Sequence, residues 1–453
     1  MNSKLTRRNF FKGSVATATV MGFPVIIPAT AFGANDRIAL GCIGVGRMGT
    51  GNMRGFLGLD ACRVTAVCDV QRANRERAKK LVDENYEDTG CVAYNDFREL
   101  IARKDIDAVM IAAQDHWHSL IATAAAAAGK DMYCEKPTGL CVRDGQVIRS
   151  AVRKNKRVFQ SGMWQRSLGN FRQGAELALN GYLGKLKEIQ VAVPGGNQYK
   201  AKYEGSLDPQ PVPDGVDWKM WQGPAREHPF NPARIAHPNW YLINDYCEGW
   251  TTNWGVHHLD IAHWGCPALG EGRFEVECSG TRYDGTGFAD NVETWRAVFV
   301  YPNGLRMVFT DNSQMPSGTK FIGENGWVYV NRGDKIEASS EDLLKICPKD
   351  GDARLLPEGS TFDDIATLKT KAGERVSYRN VNHKEGLLNS MRSRKEALSN
   401  VDATHTASTL GMVAGIANRL NAKLIWDWSS ESFVDNDEAN KLLVRSMHNG
   451  WEL

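Results

Sequence analysis

The sequence predicts an α/β fold in two parts, a doubly wound parallel sheet followed by an α+β domain with antiparallel strands. Two observations support this prediction. Short, continuous apolar runs alternate with helical segments up to residue 160, and strands with alternating polar and apolar residues dominate after it. The 453 residues, 42% hydrophobic and 24% charged, are sufficient for two packed domains.

The first predicted domain, residues 35–160, repeats strand and helix units. Its predicted strands are IALGCIGV, RVTAVCDV, CVAYNDF, DAVMIAA and DMYCEKP. Predicted helices begin near Met48 and run through RANRERAKKLVDEN and HSLIATAAAAAGK. Continuous apolar strands separated by helices are typical of a parallel sheet that is covered on both faces.

The second predicted domain, residues 161–453, differs in composition. Aromatic and Pro/Gly-rich loops alternate with strands such as KEIQVAV, RFEVECSG, VETWRAVFVY, LRMVFTD and GWVYVNRG. Several of these strands alternate polar and apolar residues, which indicates an antiparallel sheet with one solvated face. A helical tail is expected from about residue 382 to 421.

Residues 1–34 have the parts of an export signal. A basic start that includes Arg7-Arg8 precedes an apolar run over residues 13–31 and small residues near its end. The stretch RRNFFK resembles the twin-arginine signal, which exports proteins already folded. The alternative is a chance Arg-Arg pair before an ordinary signal peptide or anchor. We expect a periplasmic or otherwise exported protein with no membrane insertion after the signal is removed.

Charge and cysteine usage exclude several other classes of function. A formal net charge of +2, without a block of like charges, argues against a nucleic-acid partner. Four of the ten cysteines lie within or beside apolar runs, and no CxxC pair occurs. Since folding would finish in the reducing cytoplasm, we expect mostly free, buried thiols and no cysteine-based zinc site.

The segment GVGRMG fits the pattern G-x-G-x-x-G at the end of a predicted strand and the start of a helix. Its members are Gly44, Gly46 and Gly49, with Arg47 and Met48 before the last glycine. Such glycines allow a tight turn and let a pyrophosphate approach the backbone and the helix N-terminus. The sequence therefore predicts a dinucleotide site here.

The next predicted strand ends on a carboxylate that indicates which dinucleotide binds. Asp69 lies twenty residues after Gly49, where a carboxylate accepts hydrogen bonds from ribose hydroxyls. A 2'-phosphate would meet its negative charge, which favours NAD over NADP. Arg72 lies three residues further and softens this preference, so NADP stays as the less favoured alternative.

The stretch GKDMYCEKPTGL places Glu135 and Lys136 at the end of another predicted parallel strand. Ligands bind in the crevice at the carboxyl ends of such strands, and a lysine there can take part in acid–base chemistry. The alternative is a surface lysine before a proline turn.

The stretch EGWTTNWGVHHLDIAHWG supplies a second acid–base candidate. In a helix His257 and Asp260 lie on nearly one face, with Asn253 one turn before them. Imidazole suits the removal of a hydroxyl proton because its pKa is near neutrality. A metal site on His257, Asp260 and His263 is the alternative, which we disfavour because hydride transfer needs no metal. His258 and His263 are expected to be structural.

Taken together, these segments resemble the Gfo/Idh/MocA oxidoreductases, a family named for glucose-fructose oxidoreductase and inositol dehydrogenase. The resemblance covers nearly the whole mature chain. It is carried by the glycine turn, DHWHSLIATAAAAAGKDMYCEKP, FQSGMWQRS, DWKMWQGP, NWGVHHLDIAHW and IWDWSSESFVDNDEANKLL. It implies an N-terminal Rossmann domain, a C-terminal domain with a large, open, mainly antiparallel sheet, and a homo-oligomer formed through that sheet.

The resemblance also implies roles for individual residues. Lys136 would bind substrate and tune a proton relay, and His257 would be the acid–base group. Asp260 matches the carboxylate that follows this histidine in the family, whereas Asn253 replaces an aspartate that many members have. The other contacts implied are, for the cofactor, His118 and Glu135, and for the substrate, Arg166 and Trp254.

The leading functional hypothesis is hydride transfer between NAD and a secondary hydroxyl of a sugar, glycoside or cyclitol. Sugars present apolar ring faces to aromatic planes. The candidate aromatic residues are Trp164, Trp218, Trp221, Trp240, Trp250 and Trp254. The alternatives are a redox-neutral glycoside-cleaving enzyme and a non-catalytic sugar-binding protein. Because free NAD is absent outside the cytoplasm, an exported enzyme is expected to hold its cofactor tightly.

Overall fold

The computed structural model describes residues 37–196, 208–283, 287–356, 365–370 and 373–453. The predicted export signal lies outside these described residues. Among them, no helix has both the length and the apolar character needed to cross a bilayer.

The first sheet contains six parallel strands in the order β3-β2-β1-β4-β5-β6. This is the strand order of the Rossmann fold. The strands are β1 (Ile38–Ile43), β2 (Cys62–Cys68), β3 (Val92–Tyr94), β4 (Ala108–Ile111), β5 (Asp131–Cys134) and β6 (Phe159–Ser161). The predicted doubly wound parallel sheet is confirmed.

Helices cover both faces of this sheet, which is why its strands are continuously apolar. They are α1 (Arg47–Leu57), α2 (Arg72–Tyr86), α3 (Phe97–Ile101), α4 (His118–Ala127) and α5 (Val142–Lys154). Side chains of α1 and α2 share one buried cluster with the sheet. Side chains of α3, α4 and α5 share a second cluster on the other face.

The second sheet has nine strands in the order β13-β12-β11-β7-β10-β9-β8-β16-β17. They are β7 (Leu186–Val193), β8 (Arg273–Ser279), β9 (Arg296–Val300), β10 (Arg306–Asp311), β11 (Gly318–Gly323), β12 (Gly326–Asn331), β13 (Lys335–Ala338), β16 (Leu424–Asp427) and β17 (Ser432–Phe433). Between them in the chain lies a separate hairpin, β14 (Ile365–Thr370) and β15 (Gly373–Tyr378). Neighbouring strands of the large sheet are antiparallel except for the parallel pair β7 and β10, which confirms the mainly antiparallel prediction.

Long helices cover one face of the large sheet. The helices of this half are α6 (Gly169–Leu179), α7 (Trp218–Gln222), α8 (Pro232–Ile235), α9 (Trp250–Asn253), α10 (Gly255–Gly265), α11 (His383–Ser393), α12 (Val401–Leu420) and α13 (Asp437–Lys441). α6, α10 and α12 contribute to the main buried cluster with alternate residues of the central strands. Most residues of α10 and α12 are buried, because other parts of the protein surround these two helices on nearly all sides.

The chain returns to the first sheet near its C-terminus. Leu387 and Leu388 of α11 lie in the same cluster as α1 and α2. The ring of Trp451 packs 4.8 Å from that of Trp117. Arg445 donates from Nε to Asp144 of α5 at 2.9 Å. The parallel-sheet unit is therefore completed by residues from the end of the chain.

All ten cysteines fall within the described ranges and none is disulfide-bonded; nine are buried and Cys347 is exposed. Burial raises the pKa of thiols such as Cys62 to about 12, which keeps them protonated. The expectation of mostly free, buried thiols is confirmed.

Candidate active site

A cleft of about 780 Å³ opens at the carboxyl ends of the six parallel strands. Its wall includes residues at or just after the ends of all six of these strands. The opposite wall comes from the segment 235–257, which includes α9 and the start of α10. Open α/β sheets bind ligands at this edge, so the cleft lies where the fold predicts a site.

The glycine turn forms one end of the cleft. Gly44 has φ +76°, and a Cβ on Gly49 would lie 1.8 Å from the carbonyl oxygen of Gly44. A Cβ on Gly46 would meet no atom closer than 3.9 Å, so the backbone there faces open space. α1 begins after Gly46 without a side-chain cap or an acidic residue in its first turn. Its free N–H groups can therefore bind a pyrophosphate.

The other residues of the predicted turn also line the cleft. Met48 is 56% exposed at the mouth. Nη1 of Arg47 lies 3.2 Å from Nδ1 of His237, which belongs to the opposite wall. Arg47 therefore bridges the two walls near the glycine turn.

Asp69 lies at the end of β2 and lines the cleft. Its Oδ1 accepts hydrogen bonds from the backbone N–H of Gln71 at 2.9 Å and from Asn74 Nδ2 at 3.4 Å. Burial raises the pKa of this carboxyl to about 6, against the lowering effect of these hydrogen bonds. An ionised acceptor at this position suits ribose hydroxyls.

Arg72 is not among the residues that line the cleft. Its guanidinium pairs with Asp214 at 3.1 Å, and both side chains are largely exposed. Its backbone N–H donates to the carbonyl of Gly215 at 2.7 Å. Arg72 thus anchors the segment around Asp214 and Gly215 to the start of α2.

Lys136, Asn253 and Asp115 form a hydrogen-bonded chain at the other end of the cleft. Lys136 Nζ donates to both the backbone oxygen and Oδ1 of Asn253, each at 2.9 Å. Asn253 Nδ2 then donates to Asp115 Oδ2 at 3.0 Å. These bonds fix the orientation of the carboxamide. The carboxylate of Asp115 thus lies behind the carboxamide of Asn253, on the side away from Lys136.

His257 lines the cleft beside this chain and is 6% exposed. Burial, and then the nearby charges of Lys136 and Arg332, lower the pKa of His257 well below its usual value. Its Nδ1 is buried and has no hydrogen-bond partner among the described residues. The ring is therefore neutral and able to accept a proton.

Asp260 and Arg166 are not among the residues that line the cleft. The Asp260 carboxylate accepts from Arg166 Nε at 2.8 Å and from Nη2 at 2.6 Å, and its side chain is fully buried. Arg166 also donates from Nη1 to the carbonyl of Leu398 at 2.9 Å. This ion pair joins α10, which carries both Asp260 and His257, to Arg166 and through it to the carbonyl of Leu398.

The two remaining predicted cofactor contacts occupy different positions. Glu135 lines the cleft, and its Oε1 accepts from Asn52 Nδ2 at 2.8 Å. His118 is not among the lining residues. Its two ring nitrogens lie 2.7 Å from the carbonyl of Pro137 and 3.1 Å from that of Ala113. His118 thus joins the loop after Lys136 to the end of β4.

Five of the six predicted tryptophans line the cleft: Trp164, Trp221, Trp240, Trp250 and Trp254. Trp218 does not, because its ring stacks on Trp221 at 5.0 Å and its Nε1 donates to the carbonyl of His228. Its role is core packing.

Sequence reasoning missed three charged residues of the site. Asp115 lies in the DHWH stretch, but nothing in its spacing indicated a contact with Asn253, 138 residues away. Arg332 follows β12, and Lys384 belongs to α11; both line the cleft. Burial lowers the pKa of Lys384, while the charge of Glu135 raises it. No local motif marked either residue.

The alternative metal set is not assembled. Asp260 is held by Arg166, and no group of three or more His, Cys, Asp or Glu side chains in the described ranges could hold a metal ion. His258 Nδ1 lies 3.0 Å from Thr319 Oγ1, in the core beneath the large sheet.

Comparison with known families decides the classification. Residues 38–163 match the model of an oxidoreductase family with an NAD-binding Rossmann fold. Residues 171–354 and 359–453 match the C-terminal alpha/beta domain of the same family. The chain belongs to the Gfo/Idh/MocA oxidoreductase family. This confirms the Rossmann domain, the family resemblance and the choice of NAD as cofactor.

Individual members of the Gfo/Idh/MocA family match this chain over shorter stretches than the two family models together do. Myo-inositol 2-dehydrogenase of Thermotoga maritima is 30% identical over 38% of this chain and 46% of its own length. A glycosyl hydrolase family 109 protein of Shewanella amazonensis is 33% identical over 28% of each chain. The matches thus span less than half the length of these curated relatives.

The fold also resembles a solved structure, scyllo-inositol dehydrogenase from Lactobacillus casei with bound NAD(H) and scyllo-inositol. The TM-score is 0.54 at 16% identity, over 87% of this chain and 99% of the other. The residues present fit a dinucleotide, because the open space at Gly46, the free start of α1 and the Asp69 carboxylate face one cleft.

Proposed function

We propose that the chain moves hydride between NAD and a secondary hydroxyl of a sugar, glycoside or cyclitol. One observation carries the proposal: Lys136 and His257 share a single cleft with the glycine turn and Asp69. The similarity to an inositol dehydrogenase supports this class of substrate. When bound, NAD supplies the hydride acceptor.

The chain's own residues hold the substrate and move its proton. Lys136 uses two of its three N–H donors on Asn253, which leaves the third for a substrate hydroxyl. The neutral ring of His257 accepts the hydroxyl proton as hydride leaves and returns it in the reverse direction. The tryptophans of the cleft offer aromatic planes to the apolar face of a sugar ring.

A tightly held cofactor is the second part of the proposal. The segment 208–246 contributes several residues to the cleft wall and is bonded to the cofactor-binding loops at several points. Asp217 donates its backbone N–H to the carbonyl of Val70 at 3.0 Å and accepts from Asn95 Nδ2 at 2.8 Å. Release of a dinucleotide would require these bonds and the Arg72 contacts to open, which slows dissociation.

Glycoside cleavage without net oxidation is the second candidate, because a family 109 glycosyl hydrolase is among the relatives. In this sequence of steps, transient oxidation acidifies the neighbouring C–H, the aglycone is eliminated, water adds, and hydride returns to the sugar. His257 and Lys136 would serve as the proton-transfer groups in both candidates.

Export and assembly complete the proposal. The twin-arginine stretch supports export of the folded, NAD-loaded enzyme. The face of the large sheet opposite α6, α10 and α12 carries residues such as Gln190 and Lys320, and we assign it to a homo-oligomer contact.

The export signal is tested by substitution of its two arginines. Changing Arg7 and Arg8 to lysine should leave folded enzyme in the cytoplasm. Continued export of that variant by the same pathway would refute the signal assignment.

Product analysis separates the catalytic candidates. Purified protein is incubated with a panel of sugars, cyclitols and aryl glycosides, and the products are identified by mass spectrometry. A keto sugar with NADH supports the oxidoreductase, and a free aglycone with unchanged NAD supports glycoside cleavage. Neither product would indicate a sugar-binding protein.

A further inference from the structure

Arg332 has an unusual environment at the substrate end of the cleft. Its guanidinium carbon lies 4.3 Å from the ring centre of Trp254 and 4.7 Å from that of Trp164. Nε donates to Gln165 Oε1 at 2.8 Å. Two indole rings and one amide therefore fix the plane and the rotation of the guanidinium.

The charge of Arg332 is not neutralised within the described residues. No acidic side chain among them pairs with it, and its buried Nη2 has no acceptor there. Burial lowers the pKa of Arg332 to about 10, so the group is still charged at neutral pH. A partly buried cation without a counter-ion is unfavourable unless an anionic ligand completes the site.

The location of Arg332 relates this charge to the substrate. It is close enough to lower the pKa of His257, and both line the cleft together with Lys136. The acidic residues of the cleft lining are Asp69 and Glu135. Asp69 is engaged at the glycine-turn end, and Glu135 accepts from Asn52. At the substrate end the charged lining residues are Lys136 and Arg332, while the Asp115 carboxylate lies behind Asn253 and is reached by Lys136 only through that amide.

We propose that the substrate is an anionic sugar whose acidic group is bound by Arg332. Nη2 has no acceptor among the described residues, and the planar guanidinium can pair with two adjacent oxyanion oxygens, as found in a carboxylate, sulfate or phosphate. The sugar ring would then lie against the indole of Trp254, with its reacting hydroxyl at Lys136 and His257. This inference depends on the proposed function and specifies its substrate class.

The test compares each neutral hexose with its acidic derivatives on the full-length, NAD-loaded protein. The series are glucose, galactose and mannose, each with the uronate, the uronate methyl ester, the 6-sulfate and the 6-phosphate. Binding is measured by calorimetry on the protein with its cofactor reduced to NADH, which cannot accept hydride from a substrate hydroxyl. Hydride transfer is measured separately on the wild type, so loss of binding preference and loss of catalysis are distinguishable.

We expect at least one acid to bind more tightly than its neutral counterpart and its methyl ester. The acid that does so distinguishes carboxylate from sulfate and phosphate. Arg332→Gln should weaken binding of that acid by about 10- to 100-fold and bring the acid-to-neutral ratio close to unity. Arg332→Lys should keep part of the acid-to-neutral ratio that Arg332→Gln loses. Lysine keeps the positive charge but lacks the planar set of N–H donors of a guanidinium.

Lys335→Gln is the matched control, because Lys335 is half-exposed three residues further and pairs with Glu337. It should leave the acid-to-neutral ratio unchanged. If no acid binds more tightly than its neutral partner, or if Arg332→Gln weakens both equally, Arg332 only supports the two tryptophans and the proposal is overturned. Preferred binding of an acid without hydride transfer from any sugar would instead refute the proposed function.

Discussion

At the scale of single residues, the site depends on where charge is placed. Asn253 is neutral, yet its carboxamide connects Lys136 to Asp115 through bonds of 2.9 and 3.0 Å. The carboxylate therefore stabilises the lysine through an intervening amide rather than by direct contact. His257 is kept neutral by burial and by the cations around it.

Replacement of His257 by alanine should lower turnover by roughly two to four orders of magnitude, the usual contribution of a positioned acid–base group. NAD should stay bound, since the ring is remote from the glycine turn. Lys136→Met should lower turnover similarly and also raise KM, because the ammonium donates to the substrate. Steady-state kinetics with nucleotide analysis measures both effects. Near-normal turnover of the His257 variant would disprove the assignment.

Cofactor retention should depend on pH through Asp69. Its pKa in the free protein is about 6. Ribose hydroxyls donate to the ionised form, so binding lowers this pKa and affinity is lost as pH falls through about 6. The rate of NAD release should therefore rise below this pH in dilution experiments. Asp69→Asn should release NAD quickly with little pH dependence; an equally steep profile would exclude Asp69 as the titrating group.

The residues that sequence analysis found are those whose function depends on local spacing. The glycine turn, Asp69, Lys136 and His257 each follow a strand or lie within one helix. Arg332 and Asp115 could not be found this way, because their partners lie on elements far away in the chain. For the same reason the sequence did not show that Arg166 and Asp260 pair with each other across 94 residues; their roles at the site stay predictions.

At the scale of elements, the glycine turn is determined by backbone contact. Gly49 lies in the first turn of α1, directly against the carbonyl of Gly44. This contact sets how closely the helix start approaches β1 and hence where a pyrophosphate binds.

The alternation of strands and helices predicted the sheet types correctly, but not the strand order of the large sheet or its parallel pair β7 and β10. The pattern of polar and apolar side chains shows which face of a strand is buried, but it does not show which strand pairs with it.

Gly49→Ala should abolish NAD retention and destabilise the first sheet, because the new Cβ would lie 1.8 Å from the Gly44 oxygen. Gly51→Ala is the matched control, since a Cβ there meets nothing within 4 Å and the position is helical. That control should keep its NAD and gain about 0.5–1 kcal/mol of stability. Calorimetry and nucleotide analysis test the pair. Equal behaviour of the two variants would contradict the account of the turn.

At the scale of the whole molecule, the two sheets are joined by the end of the chain. α11 packs on the first sheet before the chain adds β16 and β17 to the second sheet, and the residues around Trp451 pack on the first sheet after them. The sequence did not predict that these residues pack on the first sheet. An apolar helix pattern indicates that one face is buried, but it does not indicate which part of the protein covers that face. The arrangement brings Lys384 into the cofactor cleft from the C-terminal half.

Trp451→Ala should lower the free energy of unfolding by roughly 1–3 kcal/mol, since a half-buried indole loses its contacts with Phe97 and Trp117. Val444→Ala in the same segment should change it by less than about 0.5 kcal/mol, because Val444 is 59% exposed. Urea unfolding followed by circular dichroism measures both. A neutral Trp451 variant would show that the tail does not stabilise the first sheet.

The central claim is that this chain is an oxidoreductase with a resident nicotinamide cofactor. The most direct measurement is the nucleotide content of protein purified without added NAD, determined by absorbance and by mass spectrometry after denaturation. We predict about one NAD(H) per chain, held through many turnovers by slow dissociation, and activity that needs no supplement. Recovery of empty, correctly folded protein that works only with added NAD would contradict the claim.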